Sequence, residues 1–304
     1  MSLILYILLS TYNGEPFLAK QLDSLFAQDY KHFHLIIRDD GSTDGTVKIL
    51  QDYQLQHSNM TLQLESNVGV VKSFFNLLTA VPDDAQYIAL CDQDDNWHSD
   101  KLRAAVAALQ STTQPCLFHS AMTLIDANDQ VIGEYHERIR KMNLPNALVE
   151  NVVTGCTAVF NRALLDKLRP LPDDVTAIPM HDWWLYQVAT ALGAVIYDAK
   201  PHMEYRRHVG NTVGHESLVA KYWQKLRDVV LYRHQHRRAK LAGLLLKRYQ
   251  ADLSSEQCDQ IEALIDSSKS SLLPRLRYAI NTPCFMQMPI NSFVLKLLMV
   301  FNCV

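Results

Sequence analysis

The chain has 304 residues, of which 48% are hydrophobic and 20% are charged, and its formal net charge is -3. These are the values of an ordinary globular protein, and the lack of a basic excess argues against nucleic acid as a partner. The six cysteines show no Cys-x-x-Cys spacing, so neither a zinc site nor a disulfide framework is indicated. A reducing, cytoplasmic compartment is the simplest setting.

The first half of the chain repeats a unit in which an apolar strand is followed by a polar turn and an amphipathic helix. The predicted strands are 3–9, 33–37, 60–64 and 87–91, and helices are predicted at 15–28, 46–56 and from about 70 to 78. This alternation predicts an α/β fold with a Rossmann-like, mostly parallel sheet flanked by helices. The G-x-G-x-x-G and P-loop motifs are absent, which argues against dinucleotide dehydrogenases and P-loop ATPases.

The second half is less regular. Strands are predicted within 115–125 and 151–160 and at 194–197 and 203–206, with a turn at 126–129 and a helix from 181 to about 192. Everything after residue 216 has a helical pattern. We therefore predict one domain over 1–214, made of a nucleotide-binding half (1–97) and a second half (98–214), followed by a helical extension over 215–304.

Three carboxylates, Asp92, Asp94 and Asp95, follow the fourth predicted strand directly. Ligands of open α/β sheets bind just beyond the carboxyl ends of such strands. Acids this close repel one another unless a cation lies among them, and carboxylates completed by substrate phosphates suit Mg²⁺ or Mn²⁺. The alternative is a helix N-cap, for which a single Asp would be enough. The cluster therefore favours a divalent metal.

Three further polar motifs each have a purely structural explanation as a turn, a helix start or a solvated basic patch; they are Asp39-Asp40-Gly41-Ser42, His181-Asp182-Trp183-Trp184 and Arg206-Arg207-His208. The order of these motifs along the chain favours a functional interpretation. A metal with cations stabilises a departing diphosphate, and an isolated carboxylate can act as general base toward a hydroxyl. Tryptophan faces can carry a sugar ring. Together they predict transfer from a nucleoside diphosphate to an alcohol.

Seven motifs occur in order: L-S-T-Y-N-G at 9–14, R-D-D-G-S-T-D-G-T at 38–46, N-V-G-V-V-K-S-F at 67–74, D-Q-D-D-N-W at 92–97, N-V-V-T-G-C-T at 151–157, H-D-W-W at 181–184 and Y-R-R-H at 205–208. This ordered set resembles the family-two inverting glycosyltransferases of GT-A fold. In particular, it is similar to the bacterial rhamnosyltransferases of O-antigen, capsule and cell-wall polysaccharides. The resemblance covers about residues 3–214 and implies that 98–214 is an acceptor-binding half.

The resemblance implies a donor site at the strand ends. The base and ribose pocket would be lined by Ser10, Tyr12, Asp39 and Asn67, with Asp39 accepting from the pyrimidine N3–H. Lys72 matches a position near the nucleotide, and Asp92 and Asp95 match positions near the ribose and the donor sugar. The further donor-site residues by resemblance are Asp40, Gln93 and Arg206.

The same resemblance places Mg²⁺ or Mn²⁺ on Asp94, Asp92 and His208, with Asp94 as the direct ligand. Asp182 matches the catalytic base, and Trp183, Thr154 and Gly155 match acceptor-binding positions. Inversion needs a single base and no covalent intermediate. The branch usually has His-Gly-Asn-Asn where this chain has His208-Val209-Gly210-Asn211, which leaves the course of that loop open.

The expected function is therefore sugar transfer to a hydroxyl of a bacterial surface polysaccharide, free or linked to polyprenyl diphosphate. The donor would be dTDP-L-rhamnose or a UDP-hexose. One alternative is a non-catalytic nucleotide-sugar-binding subunit of a glycan assembly complex. Another is a nucleotidyltransferase, but that class carries a glycine-rich basic loop after strand one, which residues 10–15 do not form.

The sequence of the helical extension does not determine what this extension contacts. Residues 221–248 are basic and amphipathic, which fits either an anionic membrane surface or a packed helix with a solvated face. Residues 285–304 are apolar but are interrupted by Pro289, Asn291, Lys296 and Asn302, so they make a poor membrane span. Packing, a contact in an oligomer and peripheral attachment at the inner face of the cytoplasmic membrane all remain as interpretations.

Overall fold

The computed structural model describes residues 4–135, 139, 141–172, 175–208 and 236–304. The predicted domain boundary at 214, residues 221–235 of the basic segment and the loop after His208 lie outside these ranges. The chain divides into two compact units, and each is described by itself. The first unit comprises Met1–Glu137, Val153–Val175 and Gly193–His208, and the second comprises Arg138–Val152, Thr176–Leu192 and Val209–Val304.

The first unit contains all the strands found in the described residues: β1 (Leu5–Thr11), β2 (Phe33–Asp39), β3 (Met60–Leu64), β4 (Tyr87–Cys91), β5 (Asn96–Trp97), β6 (Cys116–Ser120), β7 (Met122–Ile125), β8 (Val131–Tyr135), β9 (Val159–Asn161), β10 (Ala194–Asp198) and β11 (Met203–Arg206). Its helices are α1 (Glu15–Phe26), α2 (Thr46–Gln54), α3 (Val70–Ala80) and α4 (Lys101–Leu109), together with the later α6 (Arg162–Leu168).

A seven-stranded sheet in the order β10-β6-β9-β4-β1-β2-β3 forms the centre of this unit. Strand β1 is buried on both faces, as an apolar run in the middle of a parallel sheet must be, since helices cover both sides. Its pairing sets Thr11 opposite Asp39 and Leu9 opposite Cys91, so the strands end at one common edge. The predicted mostly parallel sheet is confirmed, with β9 as its one antiparallel strand.

The predicted strand over 151–160 is wrong for most of its length. Residues Gly155–Thr157 form a 3₁₀ turn, and only Val159–Asn161 pair as a strand. The apolar side chains of this run are buried although they belong to a loop and a turn. Periodicity cannot separate a short buried run of that kind from a strand. Asn161 ends the strand by capping α6, because its side chain accepts from the N–H of Leu164.

A second sheet, in the order β5-β11-β7-β8, extends the strand-end edge. The turn between β7 and β8 is an Asx turn, in which Asp126 Oδ1 accepts from the N–H groups of Asn128 and Gln130. Strand β11 runs antiparallel to β5, which directly follows the acidic turn after β4. Residues from the end of the unit are thereby placed against residues from its middle.

The described residues of the second unit form helices joined by loops, and they contain no strand. Its helices are α5 (Leu144–Ala147), α7 (His181–Leu192), α8 (Arg237–Tyr249), α9 (Ser255–Lys269), α10 (Leu272–Asn281) and α11 (Pro289–Val300). Trp184 of α7 is fully buried, and its ring lies 6.1 Å from that of Tyr249 in α8. The helical extension is confirmed from Arg237 onward. Among the described residues, no helix combines the length and the apolar character that crossing a membrane requires.

Candidate active site

The loops that follow β1 and β2 are joined by hydrogen bonds. The N–H of Asn13 donates to Ser42 Oγ (2.8 Å), and Asn13 Oδ1 accepts from the N–H of Thr43 (2.8 Å). Asn13 adopts a left-handed conformation with φ 48°, which Asn tolerates better than most residues. Its side chain thus acts as a bridge, and the two polar turns form one surface at the sheet edge.

Asp39 and Asp40 are adjacent, but their carboxylates serve different partners. Asp39 is buried and accepts from Thr11 Oγ1 (2.9 Å) and from the N–H of Ser42 (2.9 Å). Asp40 accepts from Arg38 Nη2 (3.0 Å) and from the backbone N–H groups of residues 68 and 69, directly before α3. The structure therefore places Asp39 at the edge between β1 and β2 and gives Asp40 a cap-like role at the start of α3.

The remaining donor-site candidates of this region lie around the same edge. Ser10 Oγ and Ser73 Oγ are 2.6 Å apart, which links the end of β1 to the first turn of α3. Tyr12, Asn67 and Lys72 are exposed. These three side chains are open to solvent at the positions where the sequence predicts contact with a nucleotide.

Gln93 ties the turn after β4 to the turn after β1. Its Oε1 accepts from the N–H of Tyr12 (2.8 Å), and its Nε2 donates to the carbonyl oxygen of Tyr12 (3.0 Å). The Gln93 side chain lies over Gly14, where an added Cβ would come within 2.3 Å of Oε1. A residue without a side chain is needed there for the two turns to approach.

Asp95 is the most deeply buried of the three acids. Its Oδ1 accepts from the backbone N–H of Arg206 (3.1 Å), whereas no N–H or O–H group of the described residues donates to its Oδ2. Burial, then the nearby charges of Asp94 and Asp92, raise the pKa of Asp95 well above its usual range. The ligand atoms of Asp92, Asp95 and Cys156 lie within 4.8 Å of one another.

Cations from the end of β11 face this acidic turn. Arg206 Nε donates to the carbonyl oxygen of Asp94 (2.8 Å), and its Nη1 forms an ion pair with Asp129 Oδ1 (2.6 Å). His208 Nε2 lies 2.7 Å from Asp94 Oδ2. The ring of Phe17 lies 4.9 Å from the Arg206 guanidinium and 4.8 Å from the His208 ring. The predicted acid and cation clusters thus come together, although 114 residues separate His208 from Asp94.

The side chains gathered here fit a divalent cation. Carboxylates with one imidazole are a donor set that Mg²⁺ and Mn²⁺ accept, and the Asp95 oxygen that receives no N–H or O–H bond indicates local demand for positive charge. The structure groups the candidates as Asp94 with His208 and Asp92 with Asp95. Burial raises the pKa of the Cys156 thiol well above its usual range. Hard cations such as Mg²⁺ and Mn²⁺ prefer oxygen to sulfur ligands, so the carboxylate oxygens are the better candidates.

Sequence reasoning missed a buried cation beneath the acids. Lys101 is fully buried, and burial lowers its pKa to about 8. Its Nζ lies 3.8 Å from the centre of the Trp97 ring and 3.2 Å from Met203 Sδ. A lone Lys at a helix start usually marks a solvated position, so the sequence carries no signal for this burial.

In the second unit, Asp182 lies in the first turn of α7 and is buried. The side-chain amide of Asn151 donates to its Oδ1 (2.9 Å). Trp183 is half-buried, and its Nε1 donates to the carbonyl oxygen of Ala147 (2.7 Å). The other predicted acceptor residues, Thr154 and Gly155, belong to the first unit and begin its 3₁₀ turn.

Comparison with known proteins decides what class of protein this is. Residues 6–169, more than half of the chain, match the family described as Glycosyl transferase family 2. The chain belongs to this family. It is therefore a glycosyltransferase, and the resemblance stated from the sequence motifs is confirmed.

Relatives of this family 2 glycosyltransferase include enzymes of bacterial polysaccharide synthesis. It is 29% identical to the dTDP-rhamnosyl transferase RfbG of Shigella flexneri over 224 residues, which are 70% of this chain and 76% of the relative. It is 26% identical to the putative teichuronic acid biosynthesis glycosyltransferase TuaG of Bacillus subtilis, over 51% of this chain and 60% of the relative.

Solved structures support the expected GT-A fold. TarS of S. aureus (residues 1–349) superposes with a TM-score of 0.60 at 16% identity, covering 98% of this chain and 80% of that chain. The mannosyltransferase PcManGT from Pyrobaculum calidifontis, solved in complex with GDP-Man and Mn²⁺, gives a TM-score of 0.52 at 18% identity, covering 98% and 84%. At this identity the likeness concerns the fold alone.

Proposed function

We propose that this glycosyltransferase transfers L-rhamnose from dTDP-L-rhamnose, with inversion, to a hydroxyl of a bacterial surface polysaccharide. Family membership supports sugar transfer, and the 29% identity to a dTDP-rhamnosyl transferase supports the donor. The relative named for teichuronic acid biosynthesis supports a polysaccharide acceptor. The acceptor would be presented free or on polyprenyl diphosphate, at the cytoplasmic side of the membrane.

One observation carries the donor site: Arg206 and His208 are in direct contact with Asp94 of the acidic turn after β4. Arg206 is buried and oriented by three groups, so its charge needs little rearrangement when a donor arrives. Preorganised positive charge of this kind stabilises the negative charge that develops on a departing diphosphate. We assign Arg206 to the diphosphate, His208 to the metal beside the diphosphate, and Asp95 to the donor sugar.

A divalent cation would be held by Asp94, Asp92 and His208. When bound, Mg²⁺ or Mn²⁺ would offset the charge that grows on the nucleoside diphosphate as it leaves. Asp94 and His208 are already in contact with one another, so both would be oriented by the fold rather than by the ion. Asp92 would complete the set from the first position of the acidic turn.

The nucleotide would lie along the joined turns of β1 and β2. Asp39, held by Thr11 and Ser42, would accept from the pyrimidine N3–H, and the exposed ring of Tyr12 would contact the base. Ser10, Asn67, Lys72 and Gln93 would complete the pocket. We assign Asp40 to the support of this pocket, because its oxygens hold Arg38 and the start of α3.

Asp182 is the proposed general base, and Trp183, Thr154 and Gly155 are proposed to bind the acceptor. The amide of Asn151 orients the Asp182 carboxylate. In the reaction, the acceptor oxygen forms a bond to the anomeric carbon while the bond from that carbon to the diphosphate oxygen breaks. The acceptor proton passes to Asp182, and the electron pair leaves with the nucleoside diphosphate. One displacement of this kind inverts the anomeric centre.

The test is a donor panel with the purified chain and Mg²⁺ or Mn²⁺. Release of dTDP, UDP or GDP from the corresponding sugar nucleotides is followed with and without short lipid-linked glycan acceptors. We expect acceptor-dependent release from dTDP-L-rhamnose. Asp182→Asn should lower kcat by about 100-fold or more, the usual contribution of a general base, while donor binding measured by calorimetry is retained. Asp94→Ala should weaken metal-dependent donor binding itself.

The control is Asp266→Asn, which makes the same chemical change at an exposed position of α9. It should match the wild type in both binding and turnover. Release of UDP from a UDP-hexose, without release of dTDP from dTDP-L-rhamnose, would show that the UDP-hexose is the donor. Full activity in Asp182→Asn would refute its role as base, and failure to bind any nucleotide would refute the donor site.

A further inference from the structure

The helices α10 and α11 present an unusual amount of apolar surface to solvent. The large apolar side chains of this surface are between 38% and 76% exposed, and they are Leu272, Leu273, Leu276, Ile280, Met288, Ile290, Phe293, Val294, Leu297 and Phe301. We call this set the apolar face. Single exposed apolar residues are ordinary, whereas a concentration of them within 30 residues marks an interaction surface.

The spacing of these residues shows that they form continuous stripes. In α10 the exposed positions 273, 276 and 280 recur at intervals of three and four residues, and in α11 positions 290, 293, 297 and 301 do the same. The buried residues of α11, Leu295 and Met299, fall on the opposite side of that helix. The two helices pack against each other, and Lys296 Nζ donates to the carbonyl oxygen of Ile280 (3.2 Å). The stripes therefore lie on two helices that pack against each other.

Within the stretch of sequence that carries the apolar face, the charged side chains have a single sign. From residue 267 to 304 the sequence contains four basic residues, Lys269, Arg275, Arg277 and Lys296, and no Asp or Glu. The chain as a whole has a net charge of -3, so this stretch differs from the average of the molecule. Helices that combine apolar stripes with basic residues and carry no acid of their own are complementary to an anionic surface with an apolar interior.

A second copy of this chain is a poorer occupant. A two-fold dimer through the apolar face would bring the basic residues Arg275, Arg277 and Lys296 of both copies into one interface. The stretch supplies no carboxylate to compensate them. Burying like charges without partners is unfavourable. The sign of the charge thus disfavours self-association through this face.

The length of the helices decides how they could meet a bilayer. α10 has 10 residues and α11 has 12, so they are about 15 and 18 Å long. A hydrocarbon core is about 30 Å thick. Neither helix could span it, but both are long enough to lie in the plane of the interface with one stripe among the acyl chains.

We propose that the apolar face of α10 and α11 docks this protein on an anionic phospholipid bilayer. Lys269, Arg275 and Arg277 contact the phosphate groups of the lipids, and the leucine, isoleucine and phenylalanine side chains enter the acyl boundary. The proposal goes beyond sugar transfer and does not depend on it, since it rests on residues that take no part in the donor site.

The test is sedimentation of the full chain with lipid vesicles. One vesicle preparation is phosphatidylcholine alone, and the other is an equal mixture of phosphatidylcholine and phosphatidylglycerol. We expect binding to the anionic vesicles that weakens as salt is added. The variant Leu273→Ser, Ile280→Ser, Phe293→Ser, Leu297→Ser should bind them about tenfold more weakly or worse. Lys269→Gln with Arg277→Gln should lose the preference for anionic lipid.

A matched variant replaces four exposed apolar residues of the first unit: Leu55→Ser, Leu64→Ser, Val131→Ser, Ile132→Ser. It should bind vesicles as the wild type does, and circular dichroism should show the same helix content in every variant. Equal vesicle binding by wild type and by the apolar-face variant would overturn the proposal. The proposal would also be overturned if the wild type did not bind vesicles and instead sedimented as a dimer, and if the four substitutions of the apolar-face variant dissociated that dimer.

Discussion

At the residue scale, Asp40 shows that a motif can contain two acids with different tasks. Asp39 ends β2 and faces Thr11, while Asp40 turns toward Arg38 and the start of α3. Neighbouring residues on an extended chain point to opposite sides. The sequence could predict that these acids lie at the sheet edge. It could not tell which one faces a ligand, because that depends on where α3 begins in space.

The pair formed by Arg38 and Asp40 leads to a stability prediction. Both side chains are 4% exposed, and Asp40 also accepts from two backbone N–H groups. Asp40→Asn leaves the buried guanidinium with only the more distant and exposed carboxylate of Glu65 at 3.8 Å, so we expect the free energy of unfolding to fall by about 3 kcal/mol. Urea denaturation measures the change. Asp52→Asn, which breaks an exposed pair with Lys48, should cost less than about 1 kcal/mol.

The affinity for nucleotide distinguishes two roles of Asp40, namely support of the pocket and direct contact with the donor. If Asp40 supports the pocket, the Asp40→Asn protein that remains folded at low temperature should bind nucleotide with nearly normal affinity. A folded variant that binds nucleotide more than tenfold more weakly would instead return Asp40 to direct contact with the donor.

At the element scale, the approach of two turns depends on Gly14. The Gln93 side chain occupies the space of a Cβ at this position while it holds both backbone groups of Tyr12. Gly14→Ala should displace Gln93 and separate the turns after β1 and β4. Because the displaced atoms are the end of a flexible side chain, we expect the melting temperature to change little. The Kd for the nucleotide should rise about tenfold, since an ordered pocket has to be rebuilt on binding.

Gly243→Ala is the matched control for that substitution. Gly243 lies within α8, and its added Cβ would find only an ordinary contact with Ile265 Cδ1 at 3.8 Å. Alanine in a helix interior is favoured over glycine by about 1 kcal/mol. The control should therefore raise the melting temperature and leave nucleotide affinity unchanged. Equal affinity in both variants would show that the Gln93 bridge does not shape the pocket.

The elements themselves differ in how well the sequence predicts them. The strands β3 and β4 have the predicted bounds, because each is an apolar run closed by polar turns. The segment 151–160 is mostly not a strand because Val152, Val153 and Cys156 are buried in a loop and a turn rather than paired in a ladder. The apolar pattern of the sequence predicts which residues are buried, but it does not predict which of them pair with a neighbouring strand.

At the scale of the whole molecule, a buried imidazole in β6 predicts how stability depends on pH. Burial lowers the pKa of His119 to about 3, and its ring lies 5.0 Å from that of Tyr197. The unfolded chain binds a proton at this residue below about pH 6.5, whereas the folded chain does not until about pH 3. The contribution of His119 to the free energy of unfolding is therefore fully present above pH 6.5. It is lost as the pH falls, by about 1.4 kcal/mol per pH unit.

Urea denaturation of wild type and His119→Gln between pH 6.5 and 4.5 tests this expectation. The variant should start less stable and show a shallower loss with falling pH. His32→Gln, at an exposed imidazole, should keep the wild-type slope. Parallel pH dependence in wild type and His119→Gln would show that His119 is protonated in the folded protein.

The predictability of the site follows from the same distinction between local pattern and long-range placement. The acids after β4, the turn after β2 and the His208 cluster all lie at recognisable motifs. The burial of Lys101 and the partnership of Asp129 with Arg206 depend on β11 pairing with β5 and β7. No spacing within the sequence encodes that pairing, so these residues emerge only from the folded chain.

Because β11 comes late in the chain, the strands of the large sheet are synthesised before Arg206 and His208. A ribosome that has reached Asp198 has already made all seven strands of the large sheet, but Arg206 and His208 are still to come. The strands of the large sheet and the proposed nucleotide pocket are therefore synthesised before the residues that we assign to the diphosphate and its metal. A product of premature termination shortly after β10 would carry the acidic turn without Arg206 and His208, so we expect it to be inactive in sugar transfer.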